Sequence, residues 1–279
     1  MKIALFDDGS GPQTGIAAGD RIIPTGAAGG MVGLIGAWDQ VRAELERKAA
    51  SDAGVPLSSV HLLAPSPRPG KIFAIGLNYA DHIAESNMEP PTQQTWFTKA
   101  QTSVNGPFDP VQIPKTSQFV DYEVELVAVI GKGGKHIARE DASAAIFGYC
   151  VGNDVTERSW QHATGQWSLG KSFDTHAPFG PWITTADEVP DPHVLDIRCM
   201  VNGKQRQSSN TRHLVFDVFA QIEHLSKAMM LEAGDVIFTG TPAGVGAAMT
   251  PRVFLKTGDV VRCEIDGLGA IENPFAPEA

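Results

Sequence analysis

The chain has 279 residues, of which 42% are hydrophobic and 19% charged, as in an ordinary globular protein. Its formal net charge of −10 gives no general electrostatic support to nucleic-acid binding. No stretch approaches the roughly 20 apolar residues of a membrane helix, and the acidic N-terminus lacks a signal-peptide pattern. The three scattered cysteines favour neither a disulfide framework nor a zinc site. These features predict a cytoplasmic protein.

The first 65 residues predict a small α+β domain. KIALFDDG and RIIPTG are typical of short strands, and AWDQVRAELERKAA is typical of one amphipathic helix. The stretch LLAPSPRPGK, residues 62–71, carries three prolines and a glycine, which indicates a boundary. We therefore expect a small N-terminal domain at residues 1–65 and a larger domain at residues 70–279.

The larger domain begins with KIFAIGLNYADH, which predicts an apolar strand followed by a helix with Asn78 as its N-cap. Residues 107–119 are marked by prolines and predict an irregular loop. VDYEVELVAVI (120–130) and IFGYCVGNDV (146–155) then predict two buried strands.

The last third of the chain contains RHLVFDVFAQIEHLSKAMML, residues 212–231, which predicts a long amphipathic helix. LEAGDVIFTG and LKTGDVVRCEIDG each place a Gly-Asp turn before a β-rich run, as successive strands of an antiparallel sheet would. The whole pattern predicts an α+β fold that is dominated by strands.

The stretch VDYEVELVAVI carries acids at alternate positions. Asp121, Glu123 and Glu125 share one face of the predicted strand, because successive side chains of a strand point to opposite faces. Both faces are apolar from residue 126 onward, which is typical of a strand buried on both sides. Of the three acids, Asp121 lies nearest the preceding loop and is interpreted as the residue that opens the strand.

Glu123 and Glu125 therefore need compensation, since two unpaired anions beside a buried strand are costly unless a cation neutralises them. Asp154 ends the second apolar strand and can supply a third carboxylate. Three carboxylates without a Cys or His ligand indicate a hard cation, Mg²⁺, Mn²⁺ or Ca²⁺, rather than zinc. Salt bridges to Arg or Lys are the alternative.

A second group of polar residues lies in NYADHIAE, where His82 and Glu85 stand three apart on one helix face. A carboxylate that accepts from one imidazole nitrogen makes the other nitrogen a better base; the alternative is an exposed surface pair.

Lys171 follows a polar segment and could be either functional or a surface lysine. GTPAGVG, residues 240–246, is either an anion-binding loop or a structural turn. No nucleophile elbow, HExxH, CxxC or P-loop pattern is present.

Taken together, an ordered set of motifs resembles the fumarylacetoacetate hydrolase family across roughly residues 70–272. The motifs are IGLNYADHIAE, KAQTSVNGPFDP, DYEVELVAVIGK, GYCVGNDVTER, WSLGKSFDTHAPFGPW, VNGKQRQ, GDVIFTGTPAGVG and IDGLG. The N-terminal region resembles that of the bacterial branch labelled 2,4-diketo-3-deoxy-sugar-acid hydrolase or ureidoglycolate lyase. The resemblance implies a mixed β-sandwich roll, usually a homodimer, that binds Mg²⁺ or Mn²⁺ through Glu123, Glu125 and Asp154.

The resemblance also implies roles for the other polar residues. His82 and Glu85 would be a catalytic dyad on a segment that orders over the substrate, and Lys171 a catalytic lysine. Residues implied to bind substrate are Arg158, Gln161 and Thr241.

The expected activity is metal-dependent hydrolysis of a C–C bond in a small anionic 2,4-diketo acid, either an acylpyruvate or a 2,4-diketo-3-deoxy sugar acid, through an enolate. The alternatives on the same site are an oxaloacetate-type decarboxylase and a keto–enol isomerase. A structural Ca²⁺ module is a non-enzymatic alternative. No nucleic acid or membrane partner is expected.

Overall fold

The computed structural model describes residues 1–51, 53–85 and 89–279. The strands within these residues are β1 (Lys2–Asp7), β2 (Pro12–Ala18), β3 (Arg21–Pro24), β4 (Val55–Pro56), β5 (His61–Leu63), β6 (Ile72–Gly76), β7 (Thr95–Thr98), β8 (Val104–Asn105), β9 (Val111–Ile113), β10 (Val120–Asp121), β11 (Val124–Ile130), β12 (Ile146–Asn153), β13 (Thr156–Glu157), β14 (Ala177–Thr185), β15 (Asp196–Val201), β16 (Lys204–Asn210), β17 (Val236–Phe238), β18 (Val260–Ile265) and β19 (Gly269–Pro277). The helices are α1 (Gly30–Gly36), α2 (Trp38–Ser51), α3 (Ala80–Glu85), α4 (Arg158–His162) and α5 (Val218–Ala228). No helix in these ranges is long and apolar enough to cross a membrane.

The largest sheet is mixed and runs in the order β4-β3-β2-β1-β14-β12-β11-β17-β6-β7. Strand β11 lies near its centre, antiparallel to both β12 and β17, and β17 is parallel to β6. The N-terminal strands extend this sheet, because β1 pairs with β14. Whether residues 1–65 form a domain of their own stays a prediction.

A second sheet of five strands, in the order β16-β15-β18-β19-β9, packs against one face of the first. Leu126, Ala128 and Ile130 of β11 belong to the core cluster that contains Ile197 and Cys263 of the second sheet. The other face of β11 belongs to a second cluster, with the buried apolar residues of α1. All seven residues of β11 are buried, which confirms a strand buried on both sides over 124–130; the predicted single strand over 120–130 is wrong at its start, because residues 120–121 form β10, which pairs with β13. The observed architecture confirms the predicted strand-rich α+β fold, with a strand, β9, inside the predicted loop at 107–119.

Two local predictions are wrong for one reason, which is the position of the Asn78 side chain. Its amide accepts from Phe216 N–H at 2.8 Å and donates to the oxygens of Phe216 and Thr239 at 2.9 and 2.8 Å. Asn78 therefore does not cap α3, which begins at Ala80. These bonds hold Phe216 out of a helix, so the helix predicted at 212–231 covers only 218–228, with Asp217 as its N-cap.

The two Gly-Asp turns form the same local device but do not precede neighbouring strands. Asp235 accepts from Glu232 N–H at 2.8 Å, and Asp259 accepts from Lys256 N–H at 2.9 Å, each three residues back. The strands that follow, β17 and β18, belong to different sheets. The predicted antiparallel neighbours are therefore wrong, because a shared turn does not determine which sheet the next strand joins.

Candidate active site

A cavity of about 620 Å³ opens beside the first residues of β11. Eight of the nine predicted site residues line it: His82, Glu85, Glu123, Glu125, Arg158, Gln161, Lys171 and Thr241. The ninth, Asp154, is fully buried behind the cavity wall, where its carboxylate meets Lys171. Residues from five separate segments of the sequence thus meet at one place.

The carboxylates of Glu123, Glu125 and Asp154 meet because β11 and β12 are antiparallel. The start of one strand then lies beside the end of the other. Asp154 N–H donates to the Glu123 carbonyl at 2.9 Å, and Glu123 N–H donates to the Asn153 side chain at 2.9 Å. One carboxylate oxygen from each of the three acids lies within 4.8 Å of the others. This buried, all-oxygen arrangement could hold a hard divalent cation.

Salt bridges, the alternative to a metal, are also present. Lys171 Nζ lies 2.6 Å from Glu123 and 2.7 Å from Asp154, and Arg158 lies 2.7 Å from the other Glu123 oxygen. Burial alone would raise the pKa of Glu123, but Lys171 and Arg158 lower that pKa to about 2. Lys171 is buried, so its interpretation as a surface lysine is wrong. Against the effect of burial, Asp154 and Glu123 raise the pKa of Lys171, which therefore carries its charge.

Glu125 is different, because its carboxylate bonds to a backbone amide, Gly240 N–H at 2.7 Å, and to no cation among the described residues. Burial, followed by the charges of Asp154 and Glu123, raises the pKa of Glu125 well above its usual value. Four carboxyl groups in this cluster face three cations, so one carboxyl group is in excess and would be ionised only beside a further cation; the members are Asp121, Glu123, Glu125 and Asp154 with Lys99, Arg158 and Lys171. A divalent cation fits this excess.

Asp121 does more than open a strand. Its Oδ2 accepts from Nε and Nη2 of Arg158 at 2.9 and 2.8 Å, and its carboxylate also accepts from Gly246 N–H and Ala247 N–H at 2.8 and 2.9 Å. Arg158 in turn reaches the carbonyl oxygen of the Gln161 side chain at 3.0 Å. Asp121 therefore fixes both the guanidinium and the GTPAGVG loop without facing the metal-ligand cluster.

His82 and Glu85 lie on α3, with His82 Nδ1 3.6 Å from Glu85 Oε1. Neither of these two buried atoms has a hydrogen-bond partner within the described part of the chain. The other carboxylate oxygen, Glu85 Oε2, accepts from Gly244 N–H at 2.8 Å, which joins α3 to the glycine-rich loop. The pair is thus placed for imidazole and carboxylate to act together at the cavity.

The backbone amides of the glycine-rich loop bind this chain's own carboxylates. Gly240, Gly244 and Gly246 donate to Glu125, Glu85 and Asp121 respectively. The sequence alternatives were an anion-binding loop or a structural turn, and the structure shows a loop that orders three acids of the site. The Thr241 hydroxyl donates to the Val124 carbonyl at 3.0 Å, so its role with substrate stays a prediction.

Two residues that the sequence interpretation assigned no role now join the site. Lys99 is buried, and its ammonium lies 2.5 Å from Asp154 Oδ1. The available signal was its place as the first residue of the motif KAQTSVNGPFDP. Arg252 lines the cavity, and no sequence pattern marked it.

Known proteins similar to this chain were found both by sequence and by structure. Residues 71–276 match the family described as fumarylacetoacetate (FAA) hydrolase C-terminal. The chain is 52% identical over 219 residues to the mitochondrial oxaloacetate tautomerase fahd2 of Xenopus laevis, a match that covers 78% of this chain and 69% of that protein.

Two solved structures match nearly end to end. Maleylpyruvate hydrolase from Sphingobium sp. SYK-6, in complex with manganese(II) and pyruvate, is 36% identical with a TM-score of 0.86, and the match covers 100% of both chains. The 2-hydroxyhepta-2,4-diene-1,7-dioate isomerase from Mycobacterium marinum is 30% identical with a TM-score of 0.80, over 100% of this chain and 99% of that one. These relatives are named for three different reactions, so similarity alone does not select one reaction.

Proposed function

Since the chain belongs to the fumarylacetoacetate hydrolase family, we propose that it is a divalent-metal-dependent enzyme that interconverts the keto and enol forms of an oxaloacetate-type 2-oxo acid. The observation that carries the proposal is the cluster with one excess carboxylate beside an imidazole–carboxylate pair in the same cavity. The 52% identity to an oxaloacetate tautomerase supports this choice of reaction.

Glu123, Glu125 and Asp154 would hold Mg²⁺ or Mn²⁺, and the manganese in the maleylpyruvate hydrolase structure supports that assignment. The bound ion would polarise the substrate carbonyl and stabilise negative charge as it develops on the oxygen. Lys171 keeps Glu123 ionised and orients both Glu123 and Asp154 for this purpose, through bonds of 2.6 and 2.7 Å.

His82 supplies the proton transfer. In the forward direction it removes a proton from the carbon next to the carbonyl, and the same proton is returned to the carbonyl oxygen to give the enol. Glu85, whose Oε1 lies 3.6 Å from His82 Nδ1, would orient the imidazole, while Gly244 N–H holds Glu85 in place. The C–H bond and the π bond of the carbonyl are replaced by a C=C π bond and an O–H bond, and no carbon–carbon bond is broken.

Hydrolysis of a C–C bond in a 2,4-diketo acid is the second candidate, supported by the end-to-end match to maleylpyruvate hydrolase, which includes the N-terminal region. Here His82 would take its proton from water instead. The resulting hydroxide attacks the distal carbonyl, the C–C bond breaks, and the electron pair leaves as an enolate that is then protonated, giving a carboxylic acid and a 2-oxo acid.

The test follows enol absorbance and pyruvate release separately, with oxaloacetate and with an acylpyruvate, in Mn²⁺ and in chelator. Tautomerisation predicts metal-dependent loss of the enol signal without pyruvate, and His82→Asn should reduce this rate at least a hundredfold. His224→Asn, on the exposed side of α5, is the matched control and should retain activity. Pyruvate from the acylpyruvate would favour hydrolysis, and pyruvate with CO₂ from oxaloacetate would identify a decarboxylase. Inactivity on both substrates with Mn²⁺ would refute the proposal.

A further inference from the structure

Two basic residues, Arg252 and His162, lie at the mouth of the cavity. They line the same cavity as Glu123 and Lys171. Glu123 and Lys171 are buried, whereas Arg252 and His162 are exposed. The cavity therefore has a floor of carboxylates and cations and a rim that carries additional positive charge.

Arg252 has no anionic partner within residues 1–51, 53–85 and 89–279. The other cavity cations, Arg158 and Lys171, are each bonded to carboxylates of the floor. His162 likewise makes no ion pair in the described ranges. Partial burial, followed by the charges of Arg158, Arg252 and Lys171, lowers the pKa of His162, which lines the same cavity as these cations.

The backbone around Arg252 is held by bonds on its C-terminal side. Val253 N–H donates to the Gly246 carbonyl at 3.0 Å, and Leu255 N–H donates to the Val120 carbonyl at 2.8 Å. Both bonds join this segment to residues next to Asp121 of the floor. Gly246 N–H donates to Asp121, and Val120 precedes Asp121 in the sequence. The guanidinium is therefore carried by a segment fixed relative to the metal-ligand cluster, as a selective contact requires.

We infer that Arg252 binds the second carboxylate of a dicarboxylic 2-oxo acid, with His162 as an additional hydrogen-bond partner. The inference rests on the proposed function, in which the 2-oxo carboxylate end of the substrate occupies the floor. A guanidinium without a protein anion is suited to a bidentate contact with a carboxylate. Arg252 thus selects dianionic substrates over 2-oxo acids with a neutral distal group.

The experiment compares oxaloacetate with its 4-ethyl ester, which keeps the 2-oxo acid and removes the distal charge. Arg252→Gln should lower kcat/KM for oxaloacetate by about tenfold to a hundredfold, the range of a hydrogen bond to a charged group, mainly through KM. The value for the ester should stay within about twofold of wild type. The control is Arg68→Gln, an exposed arginine outside the cavity, which should change neither value.

Binding of the same two compounds to the Mn²⁺-loaded protein, measured by thermal shift, gives a second readout. If wild type binds oxaloacetate more tightly than the ester and Arg252→Gln does not, the inference is supported. This holds even if neither compound is turned over, and in that case only the proposed reaction fails. Equal losses for both compounds, or an unchanged preference in the variant, would overturn the role of Arg252.

Discussion

Glu125→Gln tests whether the excess carboxylate exists to bind a metal. The change removes the carboxyl group that a bound cation would ionise and keeps an oxygen that can accept from Gly240 N–H. Glu125 has no cation partner in the described structure, so its loss breaks no ion pair. We therefore expect the metal-free variant to unfold with a free energy equal to or above that of wild type, which is unusual for a substitution at a buried position.

The magnitude of the metal effect follows from linkage. At an Mn²⁺ concentration about 100 times the Kd, binding stabilises the native state by about 2.7 kcal/mol. For a chain of this size that corresponds to an increase in Tm of roughly 5 °C. Glu125→Gln removes one of three ligands and the charge that favours a divalent ion, so most of this increase should disappear.

Thermal unfolding with added Mn²⁺ and with chelator measures both effects. Asp235→Asn is the control. Like Glu125, Asp235 is a buried carboxylate that accepts from backbone N–H groups, but it also pairs with Lys71 and lies outside the cavity. The control should lower Tm and keep the full Mn²⁺-induced increase. A Glu125→Gln variant that keeps the wild-type increase would show that the metal binds elsewhere and would refute this account of the cluster.

Three further predictions concern residues around the same site. Lys99→Met leaves buried Asp154 without one of its cations and should lower the unfolding free energy of the metal-free protein by about 3–5 kcal/mol. The Mn²⁺-induced increase in Tm should then be larger than in wild type. An increase equal to that of wild type would contradict the charge argument. Burial lowers the pKa of His176 to about 3, below about 6.5 in an unfolded chain, so the unfolded state binds more protons between these values and stability is lost as pH falls. His176→Gln should flatten this loss in urea titrations between about pH 7 and 5, and an unchanged slope would contradict it. Gly244 has φ +103° and a Cβ there would lie 2.1 Å from a backbone oxygen. Gly244→Ala should therefore displace Glu85 and reduce kcat about tenfold, equivalent to about 1.4 kcal/mol, while the Mn²⁺-induced increase in Tm remains. A variant with wild-type kcat would show that the bond from Gly244 N–H to Glu85 is not needed.

The acids of the floor could be predicted because their signal is local. Alternating carboxylates at the start of a strand that is apolar on both faces require a compensating cation, and Asp154 stands at the end of a second such strand. Only the antiparallel pairing of β11 and β12 was needed to bring Glu123 and Asp154 together. The proximity of His82 and Glu85 could be predicted in the same way, because residues three apart on a helix lie on one face.

The remaining contacts depend on pairings between distant segments, which one sequence does not reveal. Lys171 and Lys99 are separated from Asp154 by 17 and 55 residues, and nothing near either lysine marks it as buried. Asn78 shows the same limit, since a good N-cap residue was instead used to hold a segment 138 residues away. The homodimer and the cytoplasmic location, which rest on family resemblance and composition, stay predictions.

Charge balance connects the floor of the cavity to its rim. With Glu125 ionised beside a metal, the four carboxylates of the floor exceed its three cations by one, so a divalent cation leaves one positive charge there. The carboxylate of a 2-oxo acid offsets that charge, and within the described residues Arg252 then still has no carboxylate partner. A dicarboxylic substrate brings one more negative charge, which Arg252 at the same cavity can meet. The same count that favours a metal at Glu125 therefore favours a dianionic substrate, and the two conclusions can be tested independently at opposite ends of one cavity.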